Sequence, residues 1–207
     1  GAAVGVCTIL LMLDFLFFDR RRTVKILGII ALLGVIAQGL LGGLRVNRNS
    51  TELAMLHGCL GQAFFGYLVA LATITARSWF VERRAVTDFD GLRILGMTTL
   101  AAIYLQVVLG AWLRHFGTPT ALAAHATLSL AVFGMVLNTA LATGRRRAEL
   151  PGLIGSIRAM EVALTMQILL GITAWWMLRP FDGSPHVVST AQALVRTGHQ
   201  ANAALLL

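Results

Sequence analysis

Acidic side chains are scarce in this sequence: nine Asp and Glu stand beside seventeen Lys and Arg in 207 residues, and charge of either sign makes up only 13%. A soluble domain carries about 25% charged residues, so water is not the main solvent of this chain. Proline is scarcer still. All four, Pro119, Pro151, Pro180 and Pro185, fall at expected loops or helix starts, which argues against the broken helices on which many transporters rely. The only two cysteines, Cys7 and Cys59, sit inside apolar runs without metal-ligand spacing. Small buried thiols in helix packing are expected of them, rather than a disulfide or a thiolate site.

What is abundant is apolar: 57% of the residues, with a mean hydropathy of +0.77. A hydrocarbon core about 30 Å thick needs roughly 20 apolar residues per helix. Seven runs of about that size lie near Gly1 to Phe18, Val24 to Val46, Glu52 to Ala76, Leu92 to Arg114, Pro119 to Thr143, Ser156 to Leu178 and Val187 to Leu207. The expected fold is all-α, a polytopic transmembrane bundle with seven helices visible. The first residue is Gly and the first run has no polar flank, so the chain reads as the interior of a longer protein. A signal peptide over residues 1 to 18 is the competing reading, but no basic segment precedes that run and no small-residue cleavage site closes it.

The formal charge of +8 comes from basic residues in alternate loops. Arg20, Arg21, Arg22 and Lys25 form one group, Arg77, Arg83, Arg84 and Arg93 a second, and Arg145, Arg146, Arg147 and Arg158 a third. The intervening loops hold only Arg45, Arg48, Arg114 and Arg179, with Arg196 inside the last run. That alternation is the positive-inside pattern, which places the three basic groups in the cytoplasm and makes membrane lipid, not nucleic acid, the partner of the charge. The segments Arg45 to Thr51, Arg114 to Thr118 and Arg179 to His186 are then expected on the outer side.

The chain also repeats itself. The pattern Gln-x-x-Leu-Gly occurs as Gln38, Leu41, Gly42, as Gln106, Leu109, Gly110, and as Gln167, Leu170, Gly171. In the first two copies an Arg follows, Arg45 and Arg114, and a His stands nineteen residues after the Gln, His57 and His125. The third copy has a longer loop, and its comparable histidine is His199. Each unit reads as a helix going out, a turn, and a returning helix whose outer third carries a histidine, the kind of repeat that builds paired sites in a bundle. Small residues flank each one: Gly58, Cys59 and Gly61 at the first, Ala123, Ala124 and Ala126 at the second, Gly198 and Ala201 at the third. They allow close helix packing, and beside a histidine they also clear space for a flat macrocycle.

An ionisable side chain at membrane depth is costly and is a functional-site candidate by default. Three histidines at matched positions of a repeated hairpin point to metal ligation by His57, His125 and His199, and haem iron is a favoured partner of neutral imidazole. A zinc site fits less well, because no Cys, Asp or Glu stands near them at ligand spacing. His115 and His186 fall in expected outer loops and are assigned to solvent or the interface. Glu52 precedes His57 by five residues, which puts the two about 140° apart on a helix. Its simpler role is to complement the helix dipole after a Ser50 or Thr51 cap. Asp14 and Glu161 lie near cytoplasmic ends, where snorkelling or a salt bridge accounts for them. Arg45, Arg114 and Arg196 lie near the outer ends of helices bearing or facing the histidines. A guanidinium fork matches a carboxylate, so these three are candidate partners for haem propionates, with interfacial anchoring as the alternative.

The stretches QGLLGGLRVNRNSTELAMLHGCLGQAFF, LQVVLGAWLRH with LAAHATLSLAVF, and MQILLG with LVRTGHQANAALLL resemble haem A synthase over essentially the whole chain. That resemblance implies eight transmembrane helices in the full protein, arranged as two pseudo-symmetric four-helix halves. Here residues 1–84 would be the remainder of the N-terminal, substrate-haem half and 85–207 the C-terminal half. It implies oxidation of the C8 methyl group of haem O to the formyl group of haem A, by two oxygen insertions and loss of water. His57 would then lie on the substrate side, and His125 and His199 would be the pair holding a b-type haem. It further implies a bacterial inner-membrane location, haem sites toward the outer face, haem O synthase and cytochrome oxidase assembly factors as partners, and an electron donor that the sequence does not identify. The family's Glu-x-x-His-Arg type motif and the cysteine pair of some members have no counterpart in this sequence, and no catalytic residue is assigned. Two readings of other classes stay open: a b-type membrane cytochrome relaying electrons from quinol, and a haem-free scaffold or transporter in which the histidines bridge helices.

Overall fold

The computed structural model describes residues 1–76, 89–177 and 188–207. Arg77, Arg83 and Arg84 of the second basic group, and the segment Arg179 to His186, lie outside the described residues. Among the described residues seven α-helices follow in order: α1 (Ala2–Phe18), α2 (Arg22–Asn47), α3 (Thr51–Thr75), α4 (Phe89–Phe116), α5 (Pro119–Arg145), α6 (Ile154–Met177) and α7 (Thr190–Ala204). A single 3₁₀ turn, Pro151–Leu153, leads into α6, and no strand occurs among the described residues.

Five of these segments, α2, α3, α4, α5 and the stretch Pro151–Met177, are long and apolar enough to cross a membrane, and α1 is a shorter apolar helix. Their outward faces carry large apolar side chains such as Leu33, Leu130 and Trp176, each more than 60% exposed. In water such surface would be strongly unfavourable, whereas in hydrocarbon it costs nothing and the helix satisfies every backbone polar group internally. The chain is an all-helical integral membrane protein.

The seventh run forms a helix, but α7 is only fifteen residues, about 22 Å at 1.5 Å per residue, and it is not among the segments apolar enough to span. Gln192, Arg196, His199 and Asn202 recur on it every three or four residues, which puts them on one face. That polar face is turned to α6.

Turn chemistry is shared by the first two hairpins. Between α2 and α3, Asn49 adopts a positive φ of 45°, a conformation that Asn tolerates better than most residues, and Ser50 Oγ then accepts the Leu53 amide. Between α4 and α5, Gly117 adopts a φ of 63°, Thr118 Oγ1 accepts the Ala121 amide, and Pro119 opens the helix with a φ already suited to it. The left-handed residue stands eleven positions after the motif Gln in both copies, and the capping hydroxyl twelve. Helix α7 starts on a capping box in which Ser189 and Gln192 satisfy each other's backbone amides. At the turn from α1 to α2, the Arg21 guanidinium bonds Asp19 at 2.6 Å and holds its carboxyl down to about 2. Lys25 Nζ donates to the Leu16 carbonyl at 2.7 Å.

The described residues fall into two compact units, one made of α1, α2 and α3 with Val107–His125, the other of the remainder. In the first, Phe15, Val24, Ala31 and Leu71 form the buried centre, with Leu27 and Tyr67 packed against it. Gly28 is required there, since a Cβ would come within 2.9 Å of the Phe15 ring. Tyr67 Oη donates to the Leu27 carbonyl at 2.6 Å, tying α3 to α2. In the second, Ile103, Val132 and Val136 are buried, with Leu128, Met160 and Leu164 against them.

Candidate histidine sites

Each hairpin brings its motif glycine against the ring of its own histidine. A Cβ placed on Gly42 would stand 3.2 Å from His57 Cε1, one on Gly110 3.0 Å from His125 Cε1, and one on Gly171 3.0 Å from His199 Cε1. The ring Nδ1 comes next in every case, at 3.7, 3.4 and 3.5 Å. Contacts to Cε1 this short are tighter than nearly all real Cβ contacts, so an alanine at any of the three positions would press on the imidazole and glycine gives it room between the helices. Fifteen residues separate glycine and histidine in the first two copies and twenty-eight in the third, yet the ring approach is the same.

The glycines that flank the histidines in sequence do not touch the rings. Gly58 has nothing within 4 Å of an added Cβ, Gly61 meets only Gln38 Nε2 at 3.8 Å, and Gly198 meets Leu170. Space beside the rings is supplied across the hairpin, by the outgoing helix, because a residue's own helical neighbours point to other faces. The signal in the sequence was the constant Gly-to-His spacing of the first two copies.

In the third hairpin the histidine belongs to a chain of hydrogen bonds. His199 Nδ1 donates to the main-chain carbonyl of Gln167 at 3.2 Å. Asn202 Nδ2 donates both to the Ala163 carbonyl at 2.7 Å and to Gln167 Oε1 at 2.9 Å. Gln167 Nε2 lies 3.3 Å from His199 Nε2. The carbonyls at the two ends accept only, so the donor and acceptor roles in between follow without choice. Asn202 presents its amino group, Gln167 turns its oxygen to Asn202 and its amino group to His199, and His199 is neutral with its proton on Nδ1. Gln192 Nε2 adds a bond to the Met177 carbonyl at 2.6 Å, so α7 is held to α6 largely by polar contacts.

The first hairpin is built differently. The Gln38 main chain lies beside the His57 ring, but His57 Nδ1 is buried without a well-formed hydrogen bond. Both amide atoms of Gln38 and Nε of Arg45 are likewise buried with no hydrogen-bond partner among the described residues. Buried polar atoms are nearly always satisfied, and an orphan calls for an explanation such as a ligand or ordered water. Four such atoms, on Gln38, Arg45 and His57 of two facing helices, fall within one motif copy.

Of the arginines, Arg45 ends α2 and acts electrostatically on His57. Arg114 is exposed in the last turn of α4. Arg196 is half-buried on α7, one turn before His199. His115 is not in a loop, because α4 continues through Phe116. Its residues from Ala111 to His115 include no helix breaker, which lets the helix run to the Gly117 turn. Glu52 is exposed, bonds Ser50 Oγ at 2.8 Å and lies in the first turn of α3, in keeping with the capping role. Cys59 is buried as expected, whereas Cys7 is exposed on α1.

Among the described residues, no three His, Cys, Asp or Glu side chains gather in a group that could hold a metal ion. Set against models of known protein families, curated proteins and solved structures, the chain matches none of them.

Proposed function

We propose that this chain binds haem through His57, His125 and His199 and acts as a membrane oxidoreductase of the haem A synthase kind, oxidising the C8 methyl of haem O to a formyl group. The observation that carries the reading is the threefold recurrence of an imidazole seated against a glycine in a membrane hairpin. Packing alone does not call for a costly ionisable side chain at the same place three times. His199 suits the group: its Nδ1–H is held by a main-chain carbonyl, which leaves the lone pair on Nε2, beside the Gln167 amide, as the one that would bind iron.

When bound, haem would supply the redox chemistry, and the protein would supply position and electrostatics. His57, with the unsatisfied amide of Gln38, would orient the substrate haem. Arg45 would meet a propionate through the buried Nε that the protein leaves unbonded, with Arg114 and Arg196 in the same role elsewhere. His125 and His199 would serve a b-type haem, as the resemblance implies. The apolar helices around these sites would exclude water and lower the local dielectric, which strengthens each arginine-carboxylate pair. We place the sites toward the outer face of a bacterial inner membrane, opposite the basic turns.

The test is product analysis. The purified protein in lipid, given haem O, dioxygen and a chemical reductant, is expected to yield haem A, separated by reversed-phase chromatography and identified by its formyl mass shift. Haem bound but returned unchanged would contradict the synthase reading and favour an electron-relaying b-type cytochrome.

A further inference from the structure

The third hairpin carries an amide at a place where the other two carry leucine. Three residues after His199 stands Asn202, whereas Leu60 and Leu128 hold that place after His57 and His125. We propose that Gln167 and Asn202 are a positioning pair that locks His199 in one tautomer and caps its Nε2, so that the Gln167 amide must swing away before Nε2 takes a ligand. That the ligand is haem iron rests on the preceding reading; the lock and the cap do not.

The order of roles is fixed from the ends. Ala163 and Gln167 offer main-chain carbonyls, which cannot donate, so Asn202 Nδ2 and His199 Nδ1 carry the hydrogens. The second hydrogen of Asn202 Nδ2 goes to Gln167 Oε1, which leaves Gln167 only its amino group to direct at His199 Nε2. Protonation of His199 on Nε2 would set two donors against each other at 3.3 Å. One motif residue thus does two jobs, its main chain orienting the ring and its side chain covering the nitrogen that ring orientation prepares. In the first hairpin both amide atoms of Gln38 are unbonded, and no residue holds that side chain as Asn202 holds Gln167. His199 is the histidine organised in advance, with its lone pair protected until a ligand displaces the amide. Such advance ordering lowers the cost of binding, while the cap sets a competitor against it.

Solid-state ¹⁵N spectra of the haem-free, ¹⁵N-histidine-labelled protein in lipid test this without any assay of activity. His199 is assigned by the signals missing from His199→Gln. The wild type is expected to show a protonated Nδ1 and an unprotonated Nε2 shifted by an accepted hydrogen bond. Gln167→Met keeps the main-chain carbonyl and the bulk, so the tautomer stays and the Nε2 signal moves to that of a bare lone pair. Asn202→Leu releases Gln167, and the Nε2 signal is expected to spread between the two positions. A proton on Nε2 in the wild type, or an Nε2 signal unmoved in Gln167→Met, overturns the proposal. The wild-type spectrum alone tests the tautomer, so a variant that fails to fold does not shelter it. Titration with iron protoporphyrin IX then tests the competition: loss of one neutral hydrogen bond corresponds to roughly fivefold tighter binding in Gln167→Met, and equal affinity overturns the cap. The predicted ¹⁵N signature with no haem binding at all would instead defeat the haem reading and leave the tautomer assignment supported.

Discussion

At Gly42 a single methyl group would crowd an imidazole, whereas one residue on it would crowd nothing. An added Cβ on Gly42 would stand 3.2 Å from His57 Cε1, whereas at the neighbouring Gly43 it would meet nothing within 4 Å. Gly42→Ala is therefore expected to displace the imidazole and lower haem retained through purification severalfold, while Gly43→Ala leaves it at the wild-type level. Haem-to-protein ratio by pyridine haemochrome reads the difference, and equal loss in both variants would remove the special role of the Gly-to-His approach. The histidines were legible as residues because an imidazole stands out in an apolar run, and their motif glycines because the pattern recurs. The purpose of those glycines was not, since a one-dimensional reading looks for space beside the histidine in its own helix. Gln167 and Asn202 were less legible still, because thirty-five residues separate them and nothing in either helix alone says that their amides meet.

Between elements, the clearest single tie is the hydroxyl of Tyr67, which bonds the Leu27 carbonyl of α2 at 2.6 Å. Its ring stacks with Phe64 at 6.5 Å between centroids, so Tyr67→Phe deletes the bond and keeps the packing. Interhelical hydrogen bonds in membranes contribute about 0.6 kcal/mol on average. A loss of about that size is expected in reversible unfolding by denaturing detergent, and no change would show that the freed carbonyl finds another partner. Helix positions followed well from the apolar runs and from Ser50, a conventional cap. The seventh run was legible as a helix but its polar side was not, since Leu194, Val195, Leu205, Leu206 and Leu207 accompany a face toward α6 that is polar. Run length measures hydropathy along the chain, whereas the role of α7 depends on which side each amide faces.

For the whole molecule, composition alone gave the membrane class, because scarce charge and long apolar runs leave little else for the chain to be. Orientation rests on the basic turns and has its own test. In a background of Cys7→Ser and Cys59→Ala, Asn49→Cys is expected to react with a membrane-impermeant maleimide on intact spheroplasts, and Arg147→Cys only after permeabilisation. The reverse pattern would invert the topology and with it the side on which the histidine sites open. The central claim is that these histidines hold haem, and a reduced-minus-oxidised optical spectrum of the protein, purified in mild detergent after expression with ample haem, addresses it most directly. Sharp b-type bands, diminished in His125→Ala and in His199→Ala, are the predicted result; a folded, monodisperse sample with no haem bands would contradict the account.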